Sequence, residues 1–117
     1  IRIADDVVGV IAGLAATEVD GVAGMSGGIA GGIVEMLGRK NFSKGVKVEV
    51  GEKEAAVDLF IIVQYGARIP DIALAVQENV KHAIETMTGL GVVEVNIHVQ
   101  GVSFPQEEKE PEEARVH

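Results

Sequence analysis

The side chains that could bind a metal are few and scattered in this 117-residue sequence. It has three histidines, His82, His98 and His117, and no cysteine. A transition-metal site needs several such ligands brought to one point. Only His98 lies in a regular polar pattern, with Glu94 four residues before it on the same predicted strand face. We therefore expect no bound metal and no cofactor.

The residues that could act as acids, bases or nucleophiles form no recognisable constellation either. The carboxylates are spread over turns and helix ends, whereas a catalytic pair needs two carboxyl groups held in different environments within one pocket. The three serines, Ser26, Ser43 and Ser103, have no base partner at a convincing spacing. We expect no catalytic residues and a protein that is not an enzyme.

A glycine-rich segment could bind an anion through its backbone amides. Six of the fifteen glycines fall within residues 21–32, GVAGMSGGIAGG. No lysine followed by serine or threonine closes the segment as in a phosphate-binding loop, and its GVAG start is only a weak match to the GxxG clamp of some RNA-binding domains. The net charge of −8 repels phosphate backbones, and aromatic residues make up only 3% of the chain. We expect a flexible connection here and no nucleic-acid partner.

Two helices are predicted by apolar residues at helical spacing. The first extends from about Ala4 to Val19 and the second from about Pro70 to Met87, where Gly89 can form a left-handed cap. The first helix also carries a stripe of small residues: Gly9, Ala12, Gly13 and Ala16. Such a stripe allows another backbone to approach closely, and we expect it to pack on the sheet of the same domain.

Alternation of apolar and polar residues predicts three strands, at 46–50, at 57–65 and within 87–104. The last strand has one apolar face, consisting of Val93, Val95, Ile97 and Val99. Gly101 falls where this alternation changes phase, which indicates a β-bulge. In the second strand, Phe60 and Ile62 face away from the main apolar stripe. Either the glycine-rich segment or another subunit should cover them.

The order of elements predicts a single α+β domain over residues 1–104. Two helices with apolar stripes can cover one face of a three- to four-stranded mixed sheet, which gives a two-layer sandwich with a glycine-rich loop at 21–45. The order of the strands stays open. Residues 105–117 are acidic and almost without apolar side chains, so we expect a disordered tail. The longest apolar run has ten residues, half of the ~20 that cross a bilayer.

One basic cluster interrupts this acidic chain. Arg39, Lys40, Lys44 and Lys47 fall within nine residues. They could contact the acidic tail, another subunit or the acidic surface of a partner, and a solvated loop is the alternative. The candidate partner surface comprises two groups of side chains: Arg39, Lys40 and Lys44, together with Phe60 and Ile62.

Four segments together resemble the bacterial alkaline shock protein family, also described as general stress proteins. They are IRIADDVVGVIAGLAATEVDGVAGMSG, LGRKNFSKGVKVEVGEKEAAVDL, YGARIPDIALAVQENVKHAIETMTGL and VVEVNIHVQGVSF, at 1–27, 37–59, 65–90 and 92–104. The chain is most similar to a shorter subgroup that is often encoded beside acetyl-CoA carboxylase subunits in Gram-positive bacteria. The residues after 104 lie outside this resemblance.

The resemblance implies a non-catalytic, cytoplasmic protein of stress tolerance and of envelope or lipid homeostasis. Since parts of the family self-associate or are recruited to the membrane by a partner, the implied partners are a second copy, a small membrane-anchoring protein or acetyl-CoA carboxylase subunits. Two functions stay open: a self-associating scaffold module, and a regulator of fatty-acid synthesis that binds an enzyme or a metabolite. Assembly without a ligand would favour the first, and a saturable response to a small molecule the second.

Overall fold

Two helices pack on one face of a four-stranded sheet in the computed structural model, which describes residues 1–27 and 44–104. The elements are α1 Asp5–Thr17, β1 Val22–Met25, β2 Val46–Val50, β3 Glu54–Gln64, α2 Ile69–Thr88 and β4 Gly91–Ser103. The predicted two-layer α+β architecture is confirmed. None of the helices within the described ranges is both long enough and apolar enough to span a bilayer.

Strand β3 lies at the centre of the sheet. Strand β4 pairs with it in parallel along its whole length, from Glu54 to Gln64. Strands β1 and β2 both pair with β3 in antiparallel, β2 opposite 55–59 and β1 opposite 61–63. Because β4 occupies one hydrogen-bonding edge of β3, β1 and β2 lie end to end along the other edge. The sheet is therefore mixed, as predicted.

The core lies between the helices and one face of β3. On this face Ala55, Val57, Leu59, Ile61 and Val63 are each at most 1% exposed. The helices contribute fully buried side chains to the same cluster: Val8, Ala12 and Ala16 from α1, and Val76, Val80 and Ile84 from α2. All four residues of the small stripe on α1 are buried, which confirms that this stripe packs inside the domain.

The helix boundaries agree closely with the periodicity. Helix α2 begins one residue before the predicted start and ends one residue after the predicted end. Gly89 adopts φ 80° at its C-terminus, and its N–H donates to the Glu85 carbonyl, as a left-handed cap requires. Helix α1 ends at Thr17, two residues before the predicted end.

The prediction of a flexible connection is wrong at its beginning, because residues 22–25 form β1. The register shifts between Val22, opposite Val63, and Gly24, opposite Ile62. This irregularity places Val22 and Met25 on the buried face although they are three residues apart. Alternation could not reveal such a strand. Residues 28–43 of the loop predicted at 21–45 lie outside the described residues, as does the tail at 105–117.

The predicted β-bulge in β4 is confirmed beside Gly101. Val99 is opposite Ile61 and Gly101 is opposite Ile62, so Gln100 is the extra residue. A second irregularity, which the sequence did not indicate, lies at Val93. Val93 was expected on the apolar face, and as the unpaired residue of this bulge it is instead 58% exposed.

Candidate interaction site

One face of the sheet is turned away from both described helices. We call it the open face, and define it by Lys47 of β2, Asp58, Phe60 and Ile62 of β3, and Asn96 and His98 of β4. These residues occupy the β3 positions between the buried ones, or lie opposite such positions in the neighbouring strands. Phe60 and Ile62 are half-buried, as expected of residues held between neighbouring strands but covered by neither described helix.

An aromatic ring lies at the centre of the open face, between two polar side chains. The rings of Phe60 and His98, which are opposite each other on β3 and β4, are stacked with centroids 4.4 Å apart and planes 11° apart. Lys47 Nζ lies 5.6 Å from the centroid of the Phe60 ring, within the range of a cation–π interaction. The apolar surface of Phe60 is therefore bounded by a cation and an imidazole.

His98 also contacts a carboxylate. Its Nε2 lies 3.2 Å from Oδ1 of Asp58, and the two side chains are 43% and 39% exposed. The hydrogen bond from His98 lowers the pKa of Asp58 below its ordinary value, and the charge of Lys47 acts in the same direction. Asp58 is thus a carboxylate at neutral pH. The open face carries a fixed anion beside its aromatic centre.

Ile62 lies between two glycines on the open face. Gly24 is opposite it on β1 and Gly101 is opposite it on β4. A Cβ atom at Gly101 would be 3.2 Å from Cδ1 of Ile62, whereas a Cβ at Gly24 would have no neighbour within 4 Å among the described residues. The side chain of Ile62 therefore leans over Gly101, and among the described residues no side chain fills the space above Gly24. A partner side chain can enter there, since glycines in a strand permit close approach.

The structure brings together some of the predicted site residues. Phe60 and Ile62 share the open face, as their alternation predicts, and Lys44 is exposed just before β2. Arg39 and Lys40 lie outside the described residues, so their part in a partner surface stays a prediction. Lys47, which belongs to the same basic cluster, lies beside Phe60.

Sequence reasoning missed the contact between Asp58 and His98. The only signal was that both occupy polar positions of predicted strands, and joining them required the parallel register. Glu94, the expected neighbour of His98, instead accepts a hydrogen bond of 3.5 Å from Asn96. Across residues 1–27 and 44–104, no group of three side chains is arranged to hold a metal ion.

The comparisons with known proteins agree on one family. The profile of the alkaline shock protein 23 family, described as having a cell envelope-related function, matches residues 1–104. The chain is 44% identical over 110 residues to the uncharacterized protein YqhY of Bacillus subtilis, covering 94% of this chain and 82% of the relative. It is 40% identical over 104 residues to YloU of the same organism, covering 87% of each.

A third relative has a more informative name. The chain is 36% identical over 104 residues to a stress response regulator gls24 homolog of Streptococcus pyogenes, covering 88% of this chain and 58% of the relative. No solved structure matches the chain.

Proposed function

Because this chain belongs to the alkaline shock protein 23 family, whose described function is related to the cell envelope, we propose that it is a non-catalytic interaction module that self-associates through its open face. The name of the streptococcal relative supports a role in the stress response. The observation that carries the proposal is the pair Phe60 and Ile62, which lie side by side on the sheet face that both described helices leave uncovered.

The chemistry of the open face suits a second copy of the same chain. In a two-fold interface the same patch of both copies meets, so any charge on that patch is best matched by an opposite charge on the same patch. Lys47 and Asp58, which are opposite each other on β2 and β3, supply a cation and an anion beside Phe60. Two sheets that pack face to face lie about 10 Å apart, and Phe60 and Ile62 provide the apolar side chains for such a contact.

Recruitment is the second part of the proposal. We propose that the assembly works in the cytoplasm and reaches the inner face of the membrane through a membrane-anchoring partner. The support is the envelope-related description of the family.

The test is the mass of the protein in solution for the Phe60→Ser and Ile62→Thr variants. Light scattering over a range of concentrations should show oligomers for the wild-type protein and a shift toward monomer for both variants, while circular dichroism stays unchanged. Leu74→Ser is the matched control, because Leu74 is 56% exposed on α2, in the helical layer. It should leave the mass unchanged.

Two results would refute this proposal. A wild-type protein that stays monomeric at high concentration would exclude self-association, and oligomers unaffected by either open-face variant would exclude this surface. A monomer that alters the activity of purified acetyl-CoA carboxylase in a saturable manner would instead support a regulator of fatty-acid synthesis.

A further inference from the structure

The helical layer has an apolar groove between α1 and α2. Its volume is about 500 Å³, and its apolar lining consists of Val7, Val10, Ile11, Leu14 and Ala15 of α1 and Ala83 and Met87 of α2. Three of these side chains reach solvent: Met87 is 70% exposed, Val7 47% and Leu14 41%. Large apolar side chains that gather in one concave place are typical of a binding site.

The charged residues that line the groove are both acidic. They are Asp6, in the first turn of α1, and Glu18, at its C-terminal cap. Glu18 follows Asp6 by twelve positions, a distance of about 18 Å at a helical rise of 1.5 Å per residue. No cation is among the lining residues of the groove in the described part of the chain. The groove is therefore apolar along its length and negative at both ends.

The dipole of α1 favours the carboxylate of Asp6 and disfavours that of Glu18. Asp6 stabilises the N-terminus of α1, where a negative charge is favourable. Glu18 lies at the opposite terminus, where the helix dipole disfavours a carboxylate. The side-chain amide of Asn79 on α2 donates from Nδ2 to Oε1 of Glu18 at 3.3 Å. The same Nδ2 also donates to the Ala15 carbonyl at 2.7 Å. Glu18 is thus held against α2 by Asn79, and its negative charge lines the groove together with that of Asp6.

We propose that this groove binds an amphipathic helix of a partner protein that carries lysine or arginine near both ends of its apolar face. A length of about 18 Å corresponds to roughly three helical turns. Helices that bind in grooves use apolar anchors at i, i+3, i+4 and i+7, and this spacing suits the aliphatic lining. Cations at the two ends of such a helix would meet Asp6 and Glu18.

The charges of the groove also disfavour anionic occupants. An anionic amphiphile or an acidic lipid surface would place like charge beside Asp6 and Glu18. Within the described residues, a second copy would offer α1, which has no lysine or arginine, or α2, whose core-facing stripe Ile72, Val76, Val80 and Ile84 is buried. The groove lies in the helical layer, away from the open face, so this inference does not depend on self-association.

The experiment uses two synthetic peptides of about fifteen residues, roughly four helical turns, with the same apolar helical face. One carries lysines near both ends and the other carries glutamates at the same positions. Fluorescence anisotropy of the labelled peptides, titrated with the full chain, should show binding of the lysine peptide that weakens with salt. The glutamate peptide should bind at least about tenfold more weakly, which corresponds to about 1.4 kcal/mol.

Variants of exposed groove residues locate the site. Met87→Ser and Leu14→Ser should each weaken the lysine peptide several-fold, and Glu18→Gln should reduce the dependence on salt. Leu74→Ser is the matched control, because Leu74 is similarly exposed on α2 but does not line the groove. It should leave the affinity unchanged. Thermal unfolding of each variant checks that the fold is intact.

Several outcomes would overturn the proposal. Equal affinity for the two peptides would show that Asp6 and Glu18 do not discriminate between basic and acidic helices. Equal losses in Met87→Ser and Leu74→Ser would show that the peptide binds elsewhere. A fall in oligomer mass for Leu14→Ser would assign the groove to a second copy.

Loss of oligomers in Phe60→Ser with unchanged peptide binding would support both proposals independently.

Discussion

The two faces of β3 differ in composition and in burial, although their residues alternate along one strand. Toward the helices the strand presents only aliphatic side chains, and each of them is at most 1% exposed. Toward the open side it presents Asp58, Phe60 and Ile62, all half-buried. Because successive side chains point to opposite faces, selection can change one face without changing the other.

The face of β3 that the helices cover contributes most to stability, whereas the open face is available for recognition of a partner. Burial of a leucine side chain in the core contributes ~1.5–3 kcal/mol. Cross-strand pairs on an exposed face, such as Phe60 with His98, contribute roughly 0.2–1 kcal/mol each. The folded state therefore depends mainly on the covered face. The open face can present an aromatic ring, an anion and a cation to a partner at small cost in stability.

The largest expected effect is a loss of stability in Leu59→Ala. Leu59 is fully buried, so removal of its side chain should lower the free energy of unfolding by ~2–5 kcal/mol. Urea unfolding monitored by circular dichroism measures this change. Ile62→Ala, on the open face of the same strand, should cost less than half as much, because the Ile62 side chain is only half-buried. Equal losses would contradict the distinction between the two faces.

A substitution at the junction of β1 and β2 should have the next largest effect. Gly45 has φ 81°, and a Cβ there would lie 2.7 Å from the Ser26 carbonyl oxygen and 3.1 Å from that of Phe60. Both neighbours are backbone atoms, and Phe60 N–H donates to the Gly45 carbonyl at 2.8 Å. Gly45→Ala should therefore lower the free energy of unfolding by about 2 kcal/mol or more, the left-handed conformation alone costing ~1–2 kcal/mol.

Gly66→Ala is the control for this backbone effect. Gly66 has φ 95°, but a Cβ there would have no neighbour within 4 Å among the described residues. Gly66→Ala should therefore lower the free energy of unfolding only by the cost of placing alanine in the left-handed conformation. If chemical denaturation gave the same loss for both alanine variants, steric crowding at the junction of β1 and β2 would play no part.

The smallest effect concerns pH. The pKa of Asp58 is lower in the folded protein than its ordinary value of 3.8, chiefly through the hydrogen bond from His98. The resulting stabilisation is present above the ordinary pKa and is lost as the pH falls through the lowered value. Asp58→Asn removes this contribution, so the difference in melting temperature between wild type and variant should be small and should shrink in acid.

Glu52→Gln is the control for the loss of one negative charge elsewhere on the surface, because Glu52 is an exposed carboxylate in the turn after β2. Its melting temperature should follow that of the wild-type protein through the same acid range. A difference between wild type and Asp58→Asn that grew as the pH fell would show that the sign of this argument is wrong.

The elements with regular periodicity were predictable. The bounds of β2 at Val46–Val50 and the cap at Gly89 agree with the prediction, because alternation and left-handed glycine are local signals. Strand β1 was missed because it has four residues and an irregular register. The orientation of Phe60 and Ile62 followed from alternation, whereas the partner of His98 did not.

By itself, the sequence determined the two-layer class, the buried faces of both helices and of the regular strands, and the family. These properties follow from periodicity and from residue identity. Only the tertiary structure decided that β3 is central and pairs in parallel with β4, which joins Asp58 to His98 across forty residues. It also aligned α1 with α2 to form a groove between Asp6 and Glu18. Strand order, register and helix packing depend on contacts between distant residues, and no local pattern encodes them.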